Sequence, residues 1–173
     1  MHIHRARSSD AQAIAEVHVS SWRTTYREML PAAFLDGLRS EPRARYWSTV
    51  LGNMHARECV YVAKDTAGRV VAFASGGPNR GDDLSYDGEL YAIYLLEGYQ
   101  RQGIGTALIR AVAGHLATSA TRALVVWVLA SNPSRRFYAA LGGCLLGTKQ
   151  TPVGGIQVDE VAYGWPDIHT LLR

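Results

Sequence analysis

The sequence predicts a mixed α/β (α+β) domain: a twisted, mostly antiparallel central sheet flanked by helices, with one strand–helix–strand unit built into it. Three observations predict it. The first third of the chain carries apolar residues at helical period, residues 59–96 switch to short branched runs that alternate, and residues 100–105, Gln-Arg-Gln-Gly-Ile-Gly, set a glycine turn between such a run and an amphipathic helix.

Residues 2–7 alternate enough for a first strand, and Ser8-Ser9-Asp10 supplies helix caps, with Ser9 and Gln12 at capping-box spacing. Ala11, Ile14, Val17 and Trp22 then mark one apolar helix face through about Tyr26. Pro31 opens a second short helix carrying Phe34, Leu35 and Leu38, and residues 41–51 make a third. Residues 59–64, 70–75 and 89–96 read as an antiparallel meander whose first turn is Thr66-Ala67-Gly68-Arg69. Between the last two runs, residues 76–83 have the glycine, proline and aspartate density of a mobile loop, a candidate lid or acceptor loop. After the glycine turn, Leu108, Ile109, Val112 and Leu116 mark a helix, and residues 123–129, apolar on both faces, a central strand. The crossover of this βαβ unit should be right-handed. Asn132-Pro133 starts a further helix, because Asn caps well and Pro at the first helical position lacks only an amide that has no partner there. Gly142-Gly143 ends it, and residues 144–149 and 157–164 close the chain as a hairpin.

With 173 residues, 47% of them hydrophobic, the chain can bury a core without disulfide or metal staples; lacking repeats and long linkers, it reads as one domain over residues 1–173. The net charge of +3 comes from 18 basic and 15 acidic residues that are scattered, which argues only weakly for nucleic acid or an anionic membrane and suits a small polyanionic ligand. Neither nucleic acid nor membrane is the expected partner, and a homodimer is compatible with the sequence. Cys59 and Cys144 lie in apolar stretches and read as buried small hydrophobes, and the six histidines form no pair at metal-ligand spacing, so no metal is expected. No cationic segment followed by an apolar run opens the chain, and no apolar stretch approaches the ~18 residues of a membrane span, so a cytoplasmic setting is expected.

The glycine turn carries the first chemistry. A phosphate needs backbone N–H groups aimed at it, and the first turn of a helix supplies them at the positive end of its dipole. Glycines at 103 and 105 remove the Cβ atoms that would block the approach, and Arg101 can add a charge. A dinucleotide turn would want a third glycine at position 108, which is Leu, and an acidic residue ~20 positions on; a P-loop would want Gly-Lys-Ser/Thr. None of these is present.

Gln100, Gly103 and Gly105 match the Gln/Arg-x-x-Gly-x-Gly/Ala signature of the Gcn5-related N-acetyltransferase (GNAT) superfamily, and the order of elements resembles that family over residues 3–165. The resemblance implies an acetyl-CoA-dependent N-acetyltransferase whose βαβ core binds the acyl-CoA co-substrate, without a metal. It implies that the backbones of Ile93 and Leu95 pair with pantetheine. The turn residues Gln100, Arg101, Gln102, Gly103, Ile104, Gly105 and Thr106 would hold the pyrophosphate, and Asn132 would contact pantetheine. Glu97 stands where the family often has proline.

Acetyl transfer from a thioester needs a neutral amine, a polarised carbonyl and a proton for the departing sulfur. The family match makes Tyr138 the acid, on a helix begun by Asn132. The interval between the two is one residue shorter than in many relatives, which would rotate the phenol by ~100° unless the entry turn compensates. By residue pattern alone, Tyr138 reads equally as a core residue beside Phe137 and Leu141, and a capping role explains Asn132 fully. Glu89, at a register where some family members keep a base, reads equally as a strand-edge carboxylate. The Leu95 amide is the expected carbonyl donor. Trp22 and Tyr26 are the expected acceptor-binding residues, with packing an equal reading for Trp22; His18 reads as a core or solvated histidine before an acceptor contact. The acidic residues Glu28, Asp82, Asp83, Asp87 and Glu89 point to a small-molecule amine as acceptor. A protein N-terminus or lysine remains an alternative, as does a non-catalytic acyl-CoA-sensing module.

Overall fold

The structure is a computed structural model and describes residues 1–81 and 85–173. Strand β1 (His2–Arg5) leads through a 3-10 turn into helices α1 (Ala11–Thr25), α2 (Ala32–Gly37) and α3 (Ser40–Gly52). Strands β2 (Cys59–Lys64), β3 (Val70–Pro78) and β4 (Gly88–Leu95) follow, then α4 (Ile104–Thr118), β5 (Leu124–Leu129), α5 (Arg135–Ala140), β6 (Cys144–Val153) and β7 (Ile156–Trp165). The seven strands form one sheet in the order β1-β2-β3-β4-β5-β7-β6. Every pairing is antiparallel except β4 with β5, which is parallel and holds only at Gly88↔Leu124 and Glu89↔Val125. Beyond those two pairs the strands part, and the gap between them is the feature that organises the molecule.

Helix α4 covers one face of the sheet. Leu108, Ile109, Val112 and Leu116 recur at helical spacing and are each 0% exposed, joined in one cluster by Leu90, Leu124, Val126 and Trp165. Full burial of each such side chain stabilises the fold by about 2 kcal/mol. Helices α1 and α3 cover the opposite face through Ile14, Val17 and Trp47, packed on Val60, Val62 and Phe73. Among the described residues no helix is long and apolar enough to cross a membrane.

Several local expectations are corrected. Ser9 and Gln12 form no capping box; the Gln12 amide donates to Glu16, and the Asp10 carboxylate instead accepts from the Arg7 N–H at 2.9 Å. Gly76, Gly77 and Pro78 belong to β3 and pair with β4, rather than opening a loop. Asp82 and Asp83 of that expected loop lie outside the described residues. Helix α5 starts at Arg135, not at Pro133, because the Asn132 side chain first closes a turn by accepting from the Ser134 N–H at 2.9 Å. Cys59 is buried and its thiol is pushed up to about 12, chiefly by burial, but Cys144 begins the edge strand β6 and is exposed.

Candidate active site

The gap between β4 and β5 opens a cleft of about 640 Å³, walled by Tyr91 to Leu95 on one strand and Val126 to Leu129 on the other. Its two ends are built differently.

At one end the wall is main chain. The Leu96 N–H bonds to the Val71 carbonyl at 2.9 Å, so antiparallel alternation turns the N–H and C=O groups of Leu95 and Ile93 away from β3 and into the gap. The Leu95 carbonyl accepts from Ser21 Oγ at 3.1 Å, leaving its N–H available. A 3-10 turn over Glu97–Tyr99 then carries the chain to α4. Tyr99 ties that turn down: its hydroxyl donates to Asp65 Oδ2 at 3.0 Å and accepts from Arg69 Nη2 at 2.9 Å. Asp65 is held at about 2, first by the Arg69 backbone N–H. Arg101 (φ 58) and Gly103 (φ 79) both adopt left-handed backbone, and the amides of residues 101–106 have no backbone carbonyl partner among the described residues. This is a cradle of free N–H groups at the head of a 15-residue helix, with Gln100, Arg101, Gly103, Gly105 and Thr106 lining the cleft. It fits a pyrophosphate. Gln102 and Ile104 line nothing there with their side chains: Gln102 donates to the Gly98 carbonyl, and Ile104 is core.

The turn through Asn132, Pro133 and Ser134 also lines the cleft, as does Tyr138 of α5. The Tyr138 phenol is 6% exposed, and its hydroxyl has no hydrogen-bond partner among the described residues. Burial, and then the nearby Tyr94 phenol, push its pKa far above the ordinary value. It therefore holds its proton near neutral pH.

At the other end the wall is side chains. Trp22 of α1, Tyr26 and Leu30 beyond it and Val153 of β6 line this part of the cleft. The turn after β6 packs against α2: a side chain at Gly154 would strike the Phe34 ring at 2.8 Å. The hydroxyls of Tyr26 and Tyr94 lie 3.2 Å apart, and burial raises both phenols. Trp22 Nε1 is buried with no partner among the described residues. Behind this wall His18 stacks on Tyr94 at 4.9 Å and its Nδ1 accepts from Trp47 Nε1 at 3.2 Å. Burial first, with help from Arg43, lowers His18 to about 3.

Of the acidic residues expected around the acceptor, Glu28, Asp87 and Glu89 are described, and none of them lines the cleft. Glu89 sits where β4 and β5 still pair, 5% exposed and not lining the cleft; its carboxylate accepts from Arg80 Nη2 at 2.5 Å, Arg80 Nε at 3.1 Å and the Arg80 N–H at 3.0 Å. Asp87 accepts from the N–H groups of Arg122 and Ala123, and Glu28 is exposed. The carboxylate that does line the cleft is Glu160 of β7. Sequence reasoning missed it because it lies between Asp159 and Val161 in an ordinary strand, and only the register opposite Leu129 turns it inward.

The model of the acetyltransferase (GNAT) family matches residues 16–143. The chain is also 40% identical over 169 residues to the uncharacterized N-acetyltransferase YuaI of Bacillus subtilis (strain 168), covering 98% of this chain and 95% of that one. The chain belongs to the GNAT family of N-acetyltransferases. Its GNAT fold is shared by yncA of Salmonella typhimurium, solved with its cofactor acetyl-CoA (TM-score 0.70, 18% identity, 95% of this chain and 92% of that one). It is shared too by the ribosomal-protein-alanine N-acetyltransferase of Brucella melitensis (TM-score 0.72, 19% identity, 95% and 99%). The backbone cradle and the parted strands lie within residues 16–143, the span that the family model matches.

Proposed function

We propose that this enzyme transfers the acetyl group of acetyl-CoA directly to the primary amine of a small molecule. The amides of residues 101–106 hold the pyrophosphate at the positive end of α4, and the inward-facing backbone groups of Ile93 and Leu95, with Asn132, align the pantetheine arm. Acetyl-CoA supplies the activated thioester. The Leu95 N–H polarises its carbonyl, and Tyr138, protonated near neutral pH, gives its proton to the departing sulfur.

The observation that carries the small-molecule reading is the side-chain wall at the acceptor end. The 154–155 turn rests on Phe34, and Trp22, Tyr26, Leu30 and Val153 complete the wall, so the space suits a compact amine better than an extended peptide. Steady-state assays with acetyl-CoA across polyamines, amino acids, aminoglycosides and peptides, following thiol release, test it. Turnover of compact amines is expected, and turnover confined to peptides overturns it.

A further inference from the structure

We propose that Glu160 is the acceptor-side base of this enzyme: its carboxylate receives the ammonium of the incoming amine and takes the proton that must leave before nitrogen can attack. This rests on the direct-transfer reading above, and it holds for whichever amine the enzyme uses.

An ammonium has no lone pair, so a group able to accept its proton must face the cleft. Among the described residues that line the cleft, Glu160 is the only carboxylate, and no histidine lines it. Glu89 has the chemistry but not the freedom, because Arg80 makes three contacts with it. Glu160 is held more loosely and on one side. Oε2 accepts from Thr151 Oγ1 at 2.7 Å and lies 3.7 Å from Lys149 Nζ, while Oε1 has no partner among the described residues. The side chain is 18% exposed, so it is oriented without being sealed.

Its surroundings suit a cation. Lys149 and Thr151 face it from β6, Tyr26 from the end of α1 just past Thr25 and Tyr94 from β4, and its charge contributes to raising both phenols. From β5 the facing residue is the uncharged Leu129. Lys149 illustrates the chemistry: its ammonium rests 3.9 Å above the Trp127 ring while 3.7 Å from Glu160, the carboxylate-and-aromatic pairing that an acceptor ammonium would find. The basic residues lining the cleft, Arg101 and Arg136, lie in the glycine turn and in α5.

The step balances as follows. Glu160 takes one proton from the ammonium, and the freed lone pair forms the N–C bond to the thioester carbonyl carbon. The C–S bond breaks with its electrons on sulfur, which takes the Tyr138 phenol proton. The second nitrogen proton restores the phenol, and Glu160 releases its proton to solvent, leaving an amide and a thiol.

Glu160→Gln keeps the shape and the Thr151 hydrogen bond but cannot take a proton. With the amine found by the screen above, its kcat/KM at neutral pH is expected to fall ~100-fold, with acetyl-CoA affinity unchanged. Activity should return toward wild type above the pKa of the amine, where the acceptor arrives already neutral. Wild-type kcat/KM at neutral pH, or an equal loss at every pH, overturns the proposal. So does loss of the acidic limb in Glu89→Gln with Glu160→Gln unaffected. Should Glu160→Gln lose acetyl-CoA binding and with it its fold, Glu160→Asp carries the test: lowered amine kcat/KM with acetyl-CoA affinity kept supports the base, and wild-type values overturn it. If only peptides are turned over, the small-molecule reading fails, and the same pH profile on a peptide amine still decides Glu160.

Discussion

The end of the cleft proposed for the donor is made of backbone and the end proposed for the acceptor of side chains. The cradle at residues 101–106 presents N–H groups whose direction is fixed by two left-handed residues and the start of α4, and the wall proposed for pantetheine is the unpaired edge of β4. The end proposed for the acceptor takes Trp22 from α1, Tyr26 from the residue that follows it, Phe34 from α2, Tyr94 from β4, Val153 from β6 and Glu160 from β7. A backbone site tolerates change in most side chains but not in the dihedrals that aim it. A side-chain site can be rebuilt one residue at a time without disturbing the sheet, which allows one donor-binding core to serve different acceptors.

The largest expected effect breaks the donor end through its dihedrals. Gly103 has φ 79 and open space where a Cβ would stand. A branched residue is strained there, and its bulk enters the space expected for the pyrophosphate. Gly103→Val should weaken CoA binding ~100-fold by calorimetry, from strain of about 1–3 kcal/mol plus lost contacts. Unchanged affinity in a folded variant would show that the cradle is not the donor site.

A smaller effect is expected where the two ends meet. Tyr138→Phe removes one hydroxyl whose only assigned task is protonating sulfur, so kcat should fall ~30-fold with CoA affinity unchanged. A rise in the KM for the amine with kcat preserved would instead assign Tyr138 to the acceptor wall.

The same division explains what the sequence made legible. The glycine turn, β2 and the strand–helix–strand unit were readable because their signals are local: a cap, a period, a pair of glycines. Tyr138 and Asn132 were expected from the family resemblance, and both line the cleft. Gly76 and Gly77 misled, since glycine beside proline usually marks a loop; here the Gly76 hydrogen stands where a Cβ would lie 2.6 Å from Val112, so the glycine lets α4 settle onto the sheet. Glu160 had no local signal at all. Its inward direction depends on the register of three strands, and nothing in the residues around it distinguishes it from a solvated strand carboxylate.

The smallest effect sharpens the comparison through pH. His18 braces the acceptor wall as a neutral ring, lowered from 6.5 to about 3 by burial and Arg43, and accepts from Trp47. The unfolded chain binds this proton more readily than the folded one, so the stability it confers is complete above the unfolded pKa and is lost as pH falls toward the folded value. Between pH ~6.5 and ~5.5 this one group should remove about 1 kcal/mol of unfolding free energy. Denaturant titrations of wild type and His18→Gln at both pH values isolate it: the variant, which can still accept from Trp47 but does not titrate, should lose less stability over that interval. Equal losses would mean that His18 is not held neutral, and that the acceptor wall is no more sensitive to protonation than the backbone cradle opposite it.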